Sequence, residues 1–301
     1  MNFVAIDFET ASEKRTSACS IGITLVESSK IVWQFQTLIR PKENIFKPMN
    51  IWVHGITADD VENEELFINI WPKIKSSIEN NLVVAHNAKF DIEVLTETLN
   101  DYNLKLKKCN YICTVELSKK IYEGLPNNKL ITLAEMLDIK FNHHNALDDS
   151  LVAAKVFLDM CNYLEMENIN SLYEKTGISP GTVTNNLAIE PMNNINFKIN
   201  KKKVSLLDKA PKDTSGFFKN KNIVFTGPLN SMSRAKASSK ILACGGKTSN
   251  TINSTTDILI TNISIENDYL TIKLRKVKEL LKLNSAIKII NEEEFLKIIT
   301  L

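Results

Sequence analysis

Residues 3–10 read FVAIDFET: four apolar residues, then Asp7 and Glu9 with one apolar position between them. A short apolar run ending on acids predicts a buried strand over residues 2–8. Side chains alternate across a strand, so Asp7 and Glu9 leave the same face. Two like charges side by side are costly unless a cation neutralises them, which makes the pair a candidate for a hard divalent ion. Alone, the pair reads as two solvated acids at a strand end.

Working outward, residues 20–26 and 30–39 predict two further strands. In the second, Ile31, Trp33, Phe35 and Ile39 keep mostly one parity, residues 27–30 (ESSK) form the turn, and Pro41 ends the run. Three strands on short links predict an antiparallel meander. A helix follows over 64–80, with Pro72 read as the first residue of its final segment. A buried strand comes next over 82–85. The helix after Asn87 carries Ile92, Leu95 and Leu99 at i, i+3 and i+7. A short helix over 131–137 precedes one starting near Ala146, with Leu151, Ala154 and Leu158 on one face. This order predicts an α/β fold, a mixed sheet flanked by helices.

The character changes over residues 165–216, where stretches such as NNLAIEPMNNINFKINKKK predict a polar linker with a short helix at 172–175. A second pattern follows: a strand at 221–226 running into Gly227-Pro228, then a helix at 233–243 stopped by Gly245-Gly246. A strand at 256–261, an amphipathic helix at 271–283, a strand at 287–290 and a helix at 292–299 complete a small α/β domain. The expected organisation is a first domain at 1–164, the linker at 165–216 and a second domain at 217–301.

The 301-residue length suits two domains. Hydrophobic residues at 44% and charged residues at 24% are ordinary for a soluble protein. No apolar run reaches the roughly 20 residues that span a bilayer. Acids appear early, at Asp7 and Glu9, with no basic run before them, so the start does not read as a signal peptide. Five scattered cysteines (Cys19, Cys109, Cys113, Cys161, Cys244) suit reduced thiols in a cytoplasm. Cys109 and Cys113 have no second pair to complete a structural zinc site. The net charge of +2 does not announce a nucleic-acid partner, although residues 201–203 and 273–282 are dense in lysine.

Two further motifs carry acids and histidines. HNAKFD (86–91) follows a predicted buried strand and opens a helix, which puts Asp91 in the first helical turn at the carboxyl end of a strand. Asn87 capping the helix and Asp91 complementing its dipole would explain the same residues without chemistry. HHNALDD (143–149) places two histidines just before a helix whose first turns carry Asp148 and Asp149. His143 and Asp148 are five apart, as are His144 and Asp149, so spacing leaves both pairs open.

Taken in order, Asp-x-Glu, His-Asn-x-x-Phe-Asp and His-x-x-x-x-Asp, together with SACSIG and WVHGIT, resemble the DEDDh 3′–5′ exonucleases over roughly residues 1–160. That family includes the proofreading epsilon subunits of bacterial replicative polymerases. The resemblance implies a ribonuclease H-like fold and four metal-binding carboxylates, Asp7, Glu9, Asp91 and Asp149. It implies two ions, Mg²⁺ or Mn²⁺, with His144 rather than His143 as general base. Thr10, His86, Asn87 and Phe90 fall where the family cradles the 3′-terminal nucleotide. His54 in WVHGIT is read as positional. The expected reaction releases 5′-mononucleotides from a free 3′ end, with DNA as the expected substrate. An RNA-trimming enzyme and a non-catalytic repair scaffold are the alternatives.

Residues 217–301 resemble a BRCT domain, most like the one ending bacterial NAD-dependent DNA ligases, on NIVFTGPL, Gly245-Gly246, TTDILIT, the helix around Lys273 and IINEEEFLKII. Phe295 stands where many such domains carry Trp. The resemblance implies a phosphate site at Thr226, Gly227 and Lys273, with Arg234 as a further DNA contact. It also implies tethering to DNA or to repair and replication proteins, with no membrane association.

Overall fold

A computed structural model describes residues 1–166, 168–204, 216–263, 272–282 and 287–300. The chain forms two compact units, dividing between residues 205 and 206. The expected linker residues 205–215, and residues 271 and 283 at the ends of an expected helix, lie outside the described residues.

In the first unit β1 (Phe3–Thr10), β2 (Ala18–Glu27) and β3 (Lys30–Leu38) form the predicted antiparallel meander. Three helices follow, α1 (Pro48–His54), α2 (Ala58–Val61) and α3 (Phe67–Ile78). β4 (Leu82–Ala85) leads to α4 (Lys89–Asp101), and β5 (Lys108–Cys113) to α5 (Thr114–Ile121). Then come β6 (Tyr122–Glu123), α6 (Leu130–Met136), α7 (Ala146–Tyr163), α8 (Leu172–Thr176), β7 (Gly181–Thr184), β8 (Leu187–Ile189) and β9 (Lys202–Lys203). The main sheet runs β3-β2-β1-β4-β5-β7-β8, with β1, β4 and β5 parallel and the outer pairings antiparallel.

Strand alternation assigns each residue of β1 to one of two cores. Val4, Ile6 and Phe8 pack with α3 and α4, whereas Phe3 and Ala5 pack with α7. Phe3 meets Phe157 edge to face with ring centroids 5.0 Å apart. Asp7 and Glu9 share the parity of Phe3 and Ala5, so they emerge on the α7 face. The fold is the expected mixed α/β sheet flanked by helices.

Several elements differ from expectation, among them α1, α2, β5 and α5, which no expected element covered. α3 continues through Pro72 rather than restarting there. The proline lies in the second turn and forfeits only the bond its amide would make to the Ile68 carbonyl. Five buried apolar side chains, Phe67, Ile70, Trp71, Ile74 and Ile78, hold the helix against the sheet. Within residues 168–204, expected as linker with a short helix at 172–175, α8 stands where that helix was expected, and a hairpin extends the sheet. β7 pairs with β5, Cys109 opposite Val183, and β8 pairs with β7. The turn at Asn185-Asn186 has φ of 50° and 63°, the left-handed region that asparagine tolerates and tight hairpins need. Asn186 also accepts from the Leu106 amide and donates to Asn100 and Leu104. The polar residues that read as linker are those the turn requires.

The second unit places β10 (Asn222–Phe225), α9 (Arg234–Ala243), β11 (Lys247–Ser249), β12 (Ile258–Ile260), α10 (Ile272–Lys282), β13 (Lys288–Ile290) and α11 (Glu292–Thr300) around a parallel sheet ordered β11-β10-β12-β13. β11 was not expected, because Lys247, Thr248 and Ser249 offer no apolar signal. Phe295 is fully buried among Phe218, Phe225 and Ile260, doing the packing expected of the larger aromatic. Among the described residues no helix is long and apolar enough to cross a membrane.

Candidate active site

Gly22 lies opposite Asp7 across the β1–β2 ladder. A Cβ there would stand 2.0 Å from the Ala146 carbonyl oxygen, so only glycine lets the first turn of α7 descend onto the sheet at this point. The glycine of SACSIG therefore brings α7 over the acidic pair. Thr24 and Ser150, both buried, fix the same approach through hydroxyls 3.0 Å apart. Oxygens of Asp7, Glu9 and Asp149 consequently fall within 4.8 Å of one another.

Asp91 stands outside that trio but joins the same site. It enters from the first turn of α4, and its Oδ1 accepts the Phe8 amide at 2.9 Å, on the peptide between Asp7 and Glu9. Asn87 does not cap α4; Ala88 is the cap residue, and Asn87 instead adopts φ of 65°. That left-handed residue turns the chain from β4 into the helix and aims Asp91 at β1.

Asp148 and Asp149 are separated by geometry. Asp148 accepts the Asn142 amide at 2.9 Å and its own amide is capped by Asn145, which ties it to the preceding loop. Asp149 faces the other carboxylates. Both predicted histidines reach it: His143 Nδ1 lies 3.2 Å from Oδ1, and the His144 backbone N–H donates to Oδ2 at 3.0 Å. The two rings stack with centroids 3.9 Å apart. His144 adopts φ of 70°, an uncommon conformation for a residue with a Cβ, and this bend directs both groups at one carboxylate.

The electrostatics follow from crowding four acids in a covered site. Asp91 is 1% exposed, Asp149 4% and Glu9 9%. Burial pushes Glu9 up to about 9, with Asp149 and Asp91 adding repulsion. Burial likewise pushes Asp91 up to about 8, against the pull of the Phe8 amide. Asp7 and Asp149 are raised by burial too, and the charges of its three neighbours raise Asp7 further. Such a set can ionise fully only beside added positive charge, and its oxygen donors suit hard divalent cations. The residues present therefore fit a metal centre held by Asp7, Glu9, Asp149 and Asp91.

All four histidines of the chain gather around this site. His86 Nδ1 is 2.9 Å from the Thr114 hydroxyl, and burial with the nearby His143 drives it down to about 3. Burial, His143 and His54 drive His144 down to about 4, so its ring is neutral near pH 7. His54 was not assigned a site role, and Asn50 was not singled out. His54 Nε2 donates to the Thr10 carbonyl at 3.1 Å while its Nδ1 accepts the Ile56 amide, and Asn50 Nδ2 donates to the same carbonyl at 2.9 Å. Two donors from α1 thus fix the peptide that follows Thr10, and His54 among them plays the positional role read for WVHGIT. Phe90 packs partly against the α3–α4 core with Arg15 over its ring.

In the second unit, the three expected residues converge at the end of β10. The Thr226 amide donates to the Ile260 carbonyl, and Lys273 Nζ donates to the Phe225 carbonyl at 3.0 Å. Gly227 takes φ of 79°, and its carbonyl accepts from Arg234 Nη2 at 2.6 Å. Burial and the neighbouring Arg234 charge lower the Lys273 ammonium below its usual value.

Comparison with known proteins comes down on the same elements. The exonuclease family model (RNase_T) matches residues 4–157, and the BRCA1 C Terminus (BRCT) domain model matches residues 213–299. The chain is 30% identical over 178 residues to the PolC-type DNA polymerase III of Caldanaerobacter subterraneus, covering 57% of this chain and 12% of that protein. It is 26% identical over 166 residues to the DNA polymerase III subunit epsilon of Aquifex aeolicus, covering 54% of this chain and 81% of the subunit. The 3′-5′ exonuclease DinG of Bacillus subtilis shares 30% identity over 167 residues, 54% of this chain and 18% of that protein. A solved structure of exonuclease X in complex with 5′-overhanging duplex DNA aligns at 25% identity with a TM-score of 0.44, over 54% of this chain and 92% of that one.

Proposed function

Since this chain belongs to the exonuclease family through the domain spanning residues 4–157, and carries a BRCT domain after it, we propose that it hydrolyses DNA from a free 3′ end and releases 5′-mononucleotides. The observation that carries this reading is the convergence of Asp7, Glu9 and Asp149 within 4.8 Å, with Asp91 tied to the peptide between the first two.

The family is divalent-metal dependent, and Mg²⁺ or Mn²⁺, two ions held by these carboxylates, would supply charge neutralisation at the phosphate and a more acidic water. His144 is the general base: its ring is neutral at physiological pH and free to accept the water's proton. His143 orients Asp149 through its Nδ1–H. Thr10, His86, Asn87 and Phe90 line the place of the 3′-terminal nucleotide, with Thr10 held by Asn50 and His54. His144→Ala is expected to lower kcat by about 10²–10⁴-fold, the usual worth of a general base, and His143→Ala by much less. Equal losses in the two variants would remove the assignment of the base to His144.

The BRCT domain tethers the nuclease to DNA or to replication and repair proteins in the cytoplasm, raising local substrate concentration without new active-site contacts. Thr226, Gly227 and Lys273 grip a phosphate there, with Arg234 beside them. Lys273→Glu should abolish phosphate-dependent DNA binding, and unchanged affinity would sink this site.

The functional test compares matched DNA and RNA oligonucleotides with free and blocked 3′ ends in Mn²⁺. The proposal expects stepwise shortening of DNA with a free 3′ end and none when it is blocked. Cleavage confined to RNA would favour a trimming enzyme, and no cleavage of either would favour a non-catalytic scaffold.

A further inference from the structure

A cluster of four carboxylates attracts cations but repels the phosphates of a strand approaching it. A cation beside the cluster would offset this, and Arg15 is placed to do so. It lies in the β1–β2 loop, five residues after Thr10, with its side chain 32% exposed. Its Nε donates to Glu93 Oε2 at 2.9 Å, and its guanidinium carbon sits 4.5 Å from the centroid of the Phe90 ring. Its carbonyl accepts the Thr98 hydroxyl, which pins the loop to α4. Its charge is felt at Asp91, next to Phe90 in the chain.

The geometry uses only one edge of the guanidinium. Neither Nη group has a hydrogen-bond partner among the described residues. A half-exposed ion pair of this kind is worth little as a fastener. What it accomplishes is orientation: Glu93 takes the Nε–H, the aromatic face supports the plane, and the outer fork is left with the donor pattern that matches a phosphate.

We infer that Arg15 binds a backbone phosphate of the DNA strand whose 3′ end lies at the carboxylates, and that Glu93 and Phe90 hold it ready. This rests on the exonuclease reading. It names a contact that no sequence motif singled out.

Steady-state cleavage of a single-stranded DNA oligonucleotide, measured for the whole chain across a range of salt, tests it. Arg15→Ala is expected to raise KM by about three- to tenfold, the worth of one exposed charge-assisted contact. It should also flatten the dependence of log(kcat/KM) on log[salt] by about 0.7, one phosphate contact on a single strand. Arg15→Lys keeps the charge, so it should keep the parent's salt slope with a smaller rise in KM. Glu93→Gln keeps an acceptor for Nε and removes a repelling charge, so it should not raise KM. A merely structural tie between loop and helix predicts that Arg15→Ala raises KM without changing the salt slope. A rise in KM with the parent's salt slope, or an Arg15→Ala protein with the parent's KM and salt slope, would overturn the inference while leaving the exonuclease reading intact. A parent protein that cleaves no 3′ end would overturn both.

Discussion

Asp7→Asn is expected to leave a folded protein with its nuclease activity reduced by about 10³-fold or more. Loss of an outer partner of a metal ligand typically costs about 10–100-fold, and loss of one preorganised charge-stabilising group about 10²–10³-fold. Asp7 is proposed as a direct ligand, within the trio with Glu9 and Asp149, so its loss should cost at least as much as either. The substitution keeps shape and volume, so β1 retains its packing between the two cores. It also removes a carboxyl that burial and the charges of Asp149, Asp91 and Glu9 hold well above its ordinary value, so the folded chain no longer carries the cost of that shift. The cation-free variant should therefore melt above the parent, by about 2–4 °C for each 1 kcal/mol gained in a unit of this size. Calorimetric melting with a chelator present, beside an oligonucleotide assay, reads both halves. A variant that melts lower and loses activity would point to misfolding, and one that keeps full activity would remove Asp7 from the metal centre.

Without divalent cations, the parent protein should lose stability as pH rises from about 7 to about 8.5. The carboxyls of Asp7, Glu9, Asp91 and Asp149 are all raised in the folded chain, Asp91 to about 8 and Glu9 to about 9. In the unfolded chain they titrate near pH 4. The folded state thus binds more protons through this interval, so its advantage is complete below about pH 4 and fades as pH climbs through the folded values. Histidines do not obscure the window. His86 and His144 are lowered in the folded chain, and unfolded histidine is mostly neutral above about pH 6.5. Mg²⁺ should abolish the trend and raise the melting temperature more at pH 8.5 than at pH 7. A melting temperature that is flat with pH in chelator would mean that the four acids do not share one covered site.

Much of this site could be read from the chain because strands and helix starts impose simple rules. Alternation along FVAIDFET puts Asp7 and Glu9 on one face, and that face is the one α7 covers. HNAKFD and HHNALDD lie at strand-to-helix and loop-to-helix junctions, where backbone geometry aims side chains at a strand end. What could not be read is what long-range packing decides. β5 (KCNYIC) and the β7–β8 hairpin mix polar and apolar residues, and what makes them strands is their pairing with one another at the end of the sheet. Gly22 looks like any strand glycine until the Ala146 carbonyl is seen above it. Asn50, His54 and Arg15 act across 40, 44 and 78 residues of sequence. No local pattern reports such pairings, although WVHGIT, read as a loop motif, did mark the end of α1 and one of its donors, His54.

Asp7, Glu9, Asp91 and Asp149 are proposed to form one metal centre. Calorimetric titration of Mn²⁺ into the chelator-stripped chain at neutral pH, repeated in buffers of different ionisation enthalpy, tests it most directly. Two ions should bind per chain with net release of protons, because carboxyls held partly protonated by burial must ionise to coordinate. Binding should be much weaker in Asp7→Asn and Asp149→Asn. Binding without proton release, or with the parent's strength in both variants, would mean that the four carboxylates do not hold the ions together.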